Sequence, residues 1–179
     1  MDKNKLKKQV FVSAIEPQEW YMQPVRNMHW KPGGGLWTSS LIGKDSSEWI
    51  DFLKSNAGMG QYDKNIYLLT PDPQAKLCVV DSYRDLEKLM EDYSISNEYG
   101  DNFLDFEKMS QDYDAFHLTS NGRYDTMSDF TVKVVNGLPV PGPLKPYTLP
   151  AYDCETTIWF RWSFTEVEFI RPFRRRNRK

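Results

Sequence analysis

Lys31-Pro32-Gly33-Gly34-Gly35-Leu36-Trp37-Thr38-Ser39-Ser40 is a glycine turn that runs into a β-prone segment. A glycine run lets the backbone come close to a ligand and present its N–H groups. The strand that follows carries one aromatic ring and three hydroxyls. In extended geometry Trp37 and Ser39 share one face, Thr38 and Ser40 the other. An aromatic plate beside hydroxyl donors suits a flat heterocycle bearing a carboxamide or phosphates. No Gly-Lys-Ser/Thr follows the glycines, so this is not a P-loop. Composition alone favours a plainer reading, a flexible turn entering a core strand.

A second informative stretch lies near the other end: Ala151-Tyr152-Asp153-Cys154-Glu155-Thr156-Thr157-Ile158-Trp159. Asp153 and Glu155 stand two apart just before a hydrophobic strand, so extended backbone points both to one face. A carboxylate at a strand entrance, partly desolvated, can hold a substrate hydroxyl or stabilise a developing oxocarbenium cation. Two solvent-facing acids at a strand end are the commoner outcome. A third stretch, Leu104 to His117, reads as a helix ending in Asp112-Tyr113-Asp114-Ala115 and then a strand, and serves as scaffold. His117 in that strand reads as a core or edge histidine. His29, in the loop before the glycines, is the better candidate for ligand contact. No GxSxG signature is present.

Outward from these segments the chain alternates short strands with a few helices. Strands are expected over 9–15, 36–40, 65–70, 76–80, 113–118, 156–162 and 166–170, with a further β-prone run at 131–135. Helices are expected from Asp45-Ser46-Ser47-Glu48, capped by Asp45 or Ser46 and ended between Asn56 and Gly60. Others run from Ser82 to Tyr93, where Leu86, Leu89, Met90 and Tyr93 share a face, and from Leu104 to Gln111, capped by Asp101 or Asn102. Residues 94–102 read as a polar loop, and 119–147 as a long stretch poor in pattern. Five prolines fall between 139 and 150. This order predicts an α+β fold in one domain over 9–170, flanked by a basic extension at 1–8 and a basic tail at 171–179.

The 179 residues suffice for a core without a metal or disulfide staple. Two cysteines, Cys78 and Cys154, and two histidines lack zinc spacing, so no metal site is expected. No apolar run reaches signal-peptide or membrane-span length, so a cytoplasmic protein without a membrane role is expected. Aromatic residues make up 15%, which suits a small β-rich core or a ligand slot. Charge is uneven. The last nine residues hold six basic groups and no acid, the first eight four lysines and one aspartate. Of the chain's 23 basic and 25 acidic residues, that leaves 13 and 24 between positions 9 and 170, a net of −11. The tail at 171–179 can contact an anionic partner, or be a frayed terminus. The acidic body opposes binding to a phosphate backbone.

Taken in order, the early strand Val10-Phe11-Val12-Ser13, the segment Gly34-Gly35-Leu36-Trp37-Thr38-Ser39, the turn Asp112-Tyr113-Asp114-Ala115 and Asp153-Cys154-Glu155-Thr156 resemble the ADP-ribosyltransferase fold. The resemblance spans roughly residues 9–170, and each of its motifs is short. It implies a split, strand-rich core with peripheral helices and an NAD cleft between two small sheets. Glu155 then corresponds to the catalytic glutamate. Trp37 would flank the nicotinamide or its ribose, Thr38 and Ser39 would bond the ribose or position Glu155, and Gly34 and Gly35 would admit the cofactor. Ser13, Arg26 and His29 are three candidates for the first-strand role in cofactor binding, because the Arg or Tyr-His-Gly-Thr signatures of the family's main branches are missing. Asp153 stands where many members carry Glu or Gln, which leaves the acceptor, a protein or nucleic acid, open. The implied activity is transfer of ADP-ribose from NAD to a macromolecule. The alternatives are a non-catalytic accessory or inhibitor protein, of the kind viruses and phages encode, whose acidic body binds a host protein or mimics nucleic acid, and a nucleic-acid binder using the tail and exposed aromatics.

Overall fold

A computed structural model describes residues 6–28, 31–56, 64–96, 102–127, 132–135, 138–141, 147–149 and 151–173, with backbone alone for 132–135 and 138–141. The fold is α+β. Eleven strands, four α-helices and one 3₁₀ turn (Glu19–Tyr21) are described: β1 (Gln9–Ser13), β2 (Leu36–Ser40), α1 (Glu48–Ser55), β3 (Lys64–Pro71), β4 (Leu77–Val80), α2 (Tyr83–Tyr93), β5 (Ser94–Ser96), β6 (Asn102–Leu104), α3 (Phe106–Asp112), β7 (Ala115–Leu118), α4 (Ser120–Thr126), β8 (Val132–Val135), β9 (Leu138–Pro141), β10 (Thr156–Trp159) and β11 (Phe164–Phe173).

Seven strands form one sheet in the order β11-β3-β1-β2-β10-β7-β4, while β5–β6 and β8–β9 are separate two-stranded ribbons. Every pairing in the large sheet is antiparallel except β4 with β7. That parallel pair needs a crossover, and the chain between its strands supplies α2, the β5–β6 ribbon and α3. The middle of the sheet is uneven. β1 meets β2 only at Gln9↔Ser40 and Val10↔Ser39, whereas β2 meets β10 through its other half, Leu36 to Thr38. β1 therefore diverges from β2 beyond Val10, and a hollow opens at the divergence.

β7 and β10 are buried at every position. As central strands covered on both faces, they show no polar–apolar alternation. One cover consists of Leu86, Leu89 and Met90 of α2 with Phe106 and Met109 of α3, packed on Phe116, Leu118 and Ile158. On the other side of the same strands Trp159 packs with Leu36, Phe11 and Phe164. A third cluster sets Ile50 and Leu53 of α1 on Val10, Ile66 and Leu68.

Several local expectations need correction. Ser47, not Asp45 or Ser46, caps α1, its hydroxyl accepting from the Ile50 N–H. Asp105 caps α3. Asn102 lies in β6, and Asp101 lies outside the described residues. Part of the polar loop at 94–102 is ribbon, because Ser94–Ser96 pairs with Asn102–Leu104. Residues 120–126 are helical despite Gly122. A Cβ there would stand 2.1 Å from the Val80 carbonyl oxygen, so glycine is what lets α4 press onto the end of β4. Leu138–Pro141 forms a strand within the proline-rich stretch, paired with β8. Among the described residues no helix is long and apolar enough to cross a membrane.

Candidate functional site

Three paired strands place Thr38, Thr157 and His117 in one cross-strand row. Directly opposed residues share a face of the sheet. All three are buried, as are Gln9, Ser39 and Glu155 nearby. A buried polar strip is costly unless its members bond one another, and here they do. The Thr38 hydroxyl donates to Gln9 Oε1 at 2.7 Å and accepts from the Trp159 indole at 2.9 Å. His117 Nδ1 lies 2.8 Å from Thr157 Oγ1 and 3.4 Å from Glu155 Oε1.

Glu155 is the centre of the strip. It immediately precedes β10 and is 6% exposed. Its Oε2 accepts from the Ser39 hydroxyl at 2.6 Å and the Ser40 N–H at 2.7 Å, and its Oε1 from the Ser40 hydroxyl at 2.8 Å. Two consecutive strand residues thus hold a side chain more than a hundred positions away. Burial pushes the Glu155 carboxyl above the usual glutamate range, while the Ser39 and Ser40 donors pull it back.

Burial pushes His117 down to about 4, so the imidazole is neutral at neutral pH and its contact with Glu155 is not an ion pair there. The unfolded chain takes up this proton near 6.5 and the folded chain only near 4, so the unfolded state binds more protons between those values and stability falls as pH drops through them. His117→Asn preserves a polar atom near Nδ1 without that titration. Scanning calorimetry from neutral pH down to about 4 should find a shallower fall in Tm for the variant than for the wild type. Parallel curves would contradict the assignment.

Glu155 lines a cleft of about 510 Å³ at the divergence of β1 from β2. Phe11 and Val12 of β1, Trp37 of β2, Trp49 of α1, Lys31 and Tyr152 also line it. Trp37 and Tyr152 stack with centroids 6.1 Å apart and planes 23° apart, and the Trp37 indole N–H is held by the Gly34 carbonyl at 2.9 Å. The Lys31 ammonium lies over both rings, 5.8 Å from Trp37 and 5.9 Å from Tyr152.

The structure brings Trp37, Thr38, Ser39 and Glu155 together, and it reassigns other candidates. Gly34 and Gly35 have φ of +72° and +63°, and neither lines the cleft. A Cβ on Gly34 would sit 2.2 Å from the Pro24 carbonyl oxygen, and one on Gly35 2.8 Å from that of Trp159. These glycines admit the protein's own backbone rather than a ligand's. Thr38 borders the cleft, but its hydroxyl is committed to Gln9 and Trp159. Ser13, at the end of β1, accepts from the Ile15 N–H and does not reach the cleft, which Phe11 and Val12 border instead. Arg26 faces Glu107 at 3.9 Å across a different hollow. His29 lies outside the described residues, as does the tail beyond residue 173. Asp153 and Glu155 both border the cleft, Asp153 exposed and Glu155 buried.

Sequence reading missed Lys31, Ser40, Glu48 and Tyr152, while His117 is the buried, bonded strand histidine that was expected. Tyr152 and Ser40 sat inside the quoted motifs, but nothing local distinguishes a cleft aromatic from a core one. Among the described residues no three His, Cys, Asp or Glu side chains gather as metal ligands, and Cys78 and Cys154 are buried thiols pushed up to about 12 and 11. No family model, curated protein or solved structure matches the chain.

Proposed function

We propose that the cleft is the active site of an enzyme that breaks the glycosidic bond of an oxidised nicotinamide dinucleotide. More particularly, we read the protein as an ADP-ribosyltransferase that moves ADP-ribose from NAD to a macromolecular acceptor. One observation carries this reading: Glu155, remote in sequence from Trp37 and Ser39, is a buried carboxylate lining the same cleft as Trp37 and is oriented by the Ser39 and Ser40 donors. The cleft's volume is within the range of small-molecule sites.

The roles follow from the chemistry of the side chains. Trp37 and Tyr152 form an aromatic shelf for the pyridinium ring. Glu155 accepts a hydrogen bond from the nicotinamide ribose and offsets positive charge growing at the anomeric carbon. As the carbon–nitrogen bond breaks, its electron pair goes to the ring nitrogen and nicotinamide leaves neutral. The acceptor nucleophile then bonds to the anomeric carbon and gives up its proton. Serine donors hold the carboxylate beforehand, so little reorganisation remains for the reaction itself.

Lys31 has two opposing effects on this ligand. Its ammonium occupies the face that a pyridinium would use, a competition worth about 0.5–1 kcal/mol. Displaced, it can meet the diphosphate in a charge-assisted bond worth about 1.5–3 kcal/mol. The second effect wins. Lys31→Met should therefore weaken NAD several-fold by calorimetry while leaving 1-methylnicotinamide, which lacks phosphate, unchanged or tighter. Equal weakening of both would contradict this division of roles.

The test of the function is incubation of the protein with labelled NAD and a cell lysate. Label on a macromolecule with wild type and not with Glu155→Gln supports the reading. NAD binding without release of nicotinamide would favour a non-catalytic binding protein.

A further inference from the structure

We infer that Glu48 is the positioning residue of the site: its carboxylate fixes the backbone from which Glu155 enters the cleft, and it places a second negative charge behind the first. The inference rests on the role given to Glu155 above. Glu48 is the first residue of α1, next to the capping Ser47. Its Oε2 accepts from the Glu155 N–H at 2.7 Å. Its Oε1 accepts from the hydroxyl of Ser120, the first residue of α4. One carboxylate thus ties α1, α4 and the entry to β10. Glu155 stands just outside β10, so its N–H turns to Glu48 rather than to a neighbouring strand.

A neutral acceptor would serve this geometry at lower cost, since like charges side by side oppose ionisation. A carboxylate here therefore has an electrical consequence as well as a mechanical one. Burial is the main influence raising the Glu155 carboxyl, and Glu48 pushes the same way. The other groups around Glu155 are His117 from β7, neutral above about pH 4, the Ser39 and Ser40 donors from β2, and on its own segment the buried Cys154 thiol, pushed up to about 11, with exposed Asp153 bordering the same cleft.

Two substitutions separate the effects. Glu48→Gln keeps an acceptor for the Glu155 N–H and a polar group for Ser120, and removes only charge. Glu48→Ala removes both. In protein labelled with ¹³C at the glutamate carboxyls, with the Glu155 signal assigned through Glu155→Gln, Glu48→Gln should lower the Glu155 titration midpoint. It should move the acid limb of nicotinamide release to lower pH in parallel. Glu48→Ala should reduce kcat for nicotinamide release about tenfold or more, with KM for NAD within about twofold, because a small displacement of a catalytic group is costly. Glu48→Gln should recover most of that kcat. An unmoved Glu155 midpoint in Glu48→Gln, or a wild-type kcat in Glu48→Ala, overturns the inference. Should Glu48→Ala fail to fold, the midpoint in Glu48→Gln decides alone. A shifted midpoint in a protein that releases no nicotinamide would retain the placement of Glu48 and defeat the transferase reading instead.

Discussion

Glu155→Gln should slow nicotinamide release by a factor of about 10²–10³, the loss that follows removal of one preorganised electrostatic contact to a transition state. NAD affinity should stay within about twofold. The amide has the carboxylate's shape, and its oxygen can take the Oε2 place, where the Ser39 hydroxyl and Ser40 N–H converge. Its NH₂ then takes the Oε1 place, donating to a Ser40 hydroxyl that rotates to accept. Only the full negative charge disappears, and a bound substrate needs that charge less than a developing cation does. Stability provides an independent check. Because burial raises the Glu155 carboxyl, its stabilising contribution is complete below the unfolded glutamate value near 4.5 and is lost as pH rises through the higher folded value. Above that folded value the ionised carboxylate therefore costs stability, and there Glu155→Gln should melt at or above the wild-type temperature. A large drop in both Tm and activity would mean that Glu155 is a structural carboxylate. Unchanged turnover would remove it from the chemistry.

The two segments that build the site were legible as segments because local chemistry marks them. Leu36-Trp37-Thr38-Ser39-Ser40 follows a glycine run and carries β-formers, and the observed strand covers those same five residues. The hydrophobic run after Glu155 likewise marks a strand entrance. Their meeting was not legible in the residues themselves. It depends on β10 pairing with β2, a contact across more than a hundred residues that no periodicity encodes. Glu48 shows the same limit. At a helix start an acidic residue is ordinary, since it complements the helix dipole, and only the tertiary arrangement turns it toward Glu155. The glycines misled for a related reason: positive φ and close approach are required, but the approaching group is the protein's own carbonyl. α4 was missed because Gly122 interrupts the helical pattern for the sake of contact with β4.

Trp159→Ala should lower unfolding free energy by about 3–5 kcal/mol, the range for deleting a buried large aromatic. Trp159 is fully buried at the centre of the sheet, its ring 4.4 Å from that of Phe164. Leu36, Phe11 and Ala115 surround it, so the cavity would be walled by strands that cannot easily collapse. A domain with a typical 5–15 kcal/mol of stability would lose a large fraction of it. Guanidinium unfolding measures the effect directly, and a loss below about 1.5 kcal/mol would show that the site repacks. Trp159→Phe divides the loss further. It keeps most of the apolar bulk but removes the indole N–H that donates to the Thr38 hydroxyl, a bond worth about 1 kcal/mol. Thr38 also braces Gln9 and stands in register beside Thr157. Trp159→Phe should therefore loosen the strip that supports Glu155 more than its modest stability loss suggests, lowering kcat for nicotinamide release while sparing KM. An unchanged kcat would mean that the hydrophobic core and the polar strip are energetically separate.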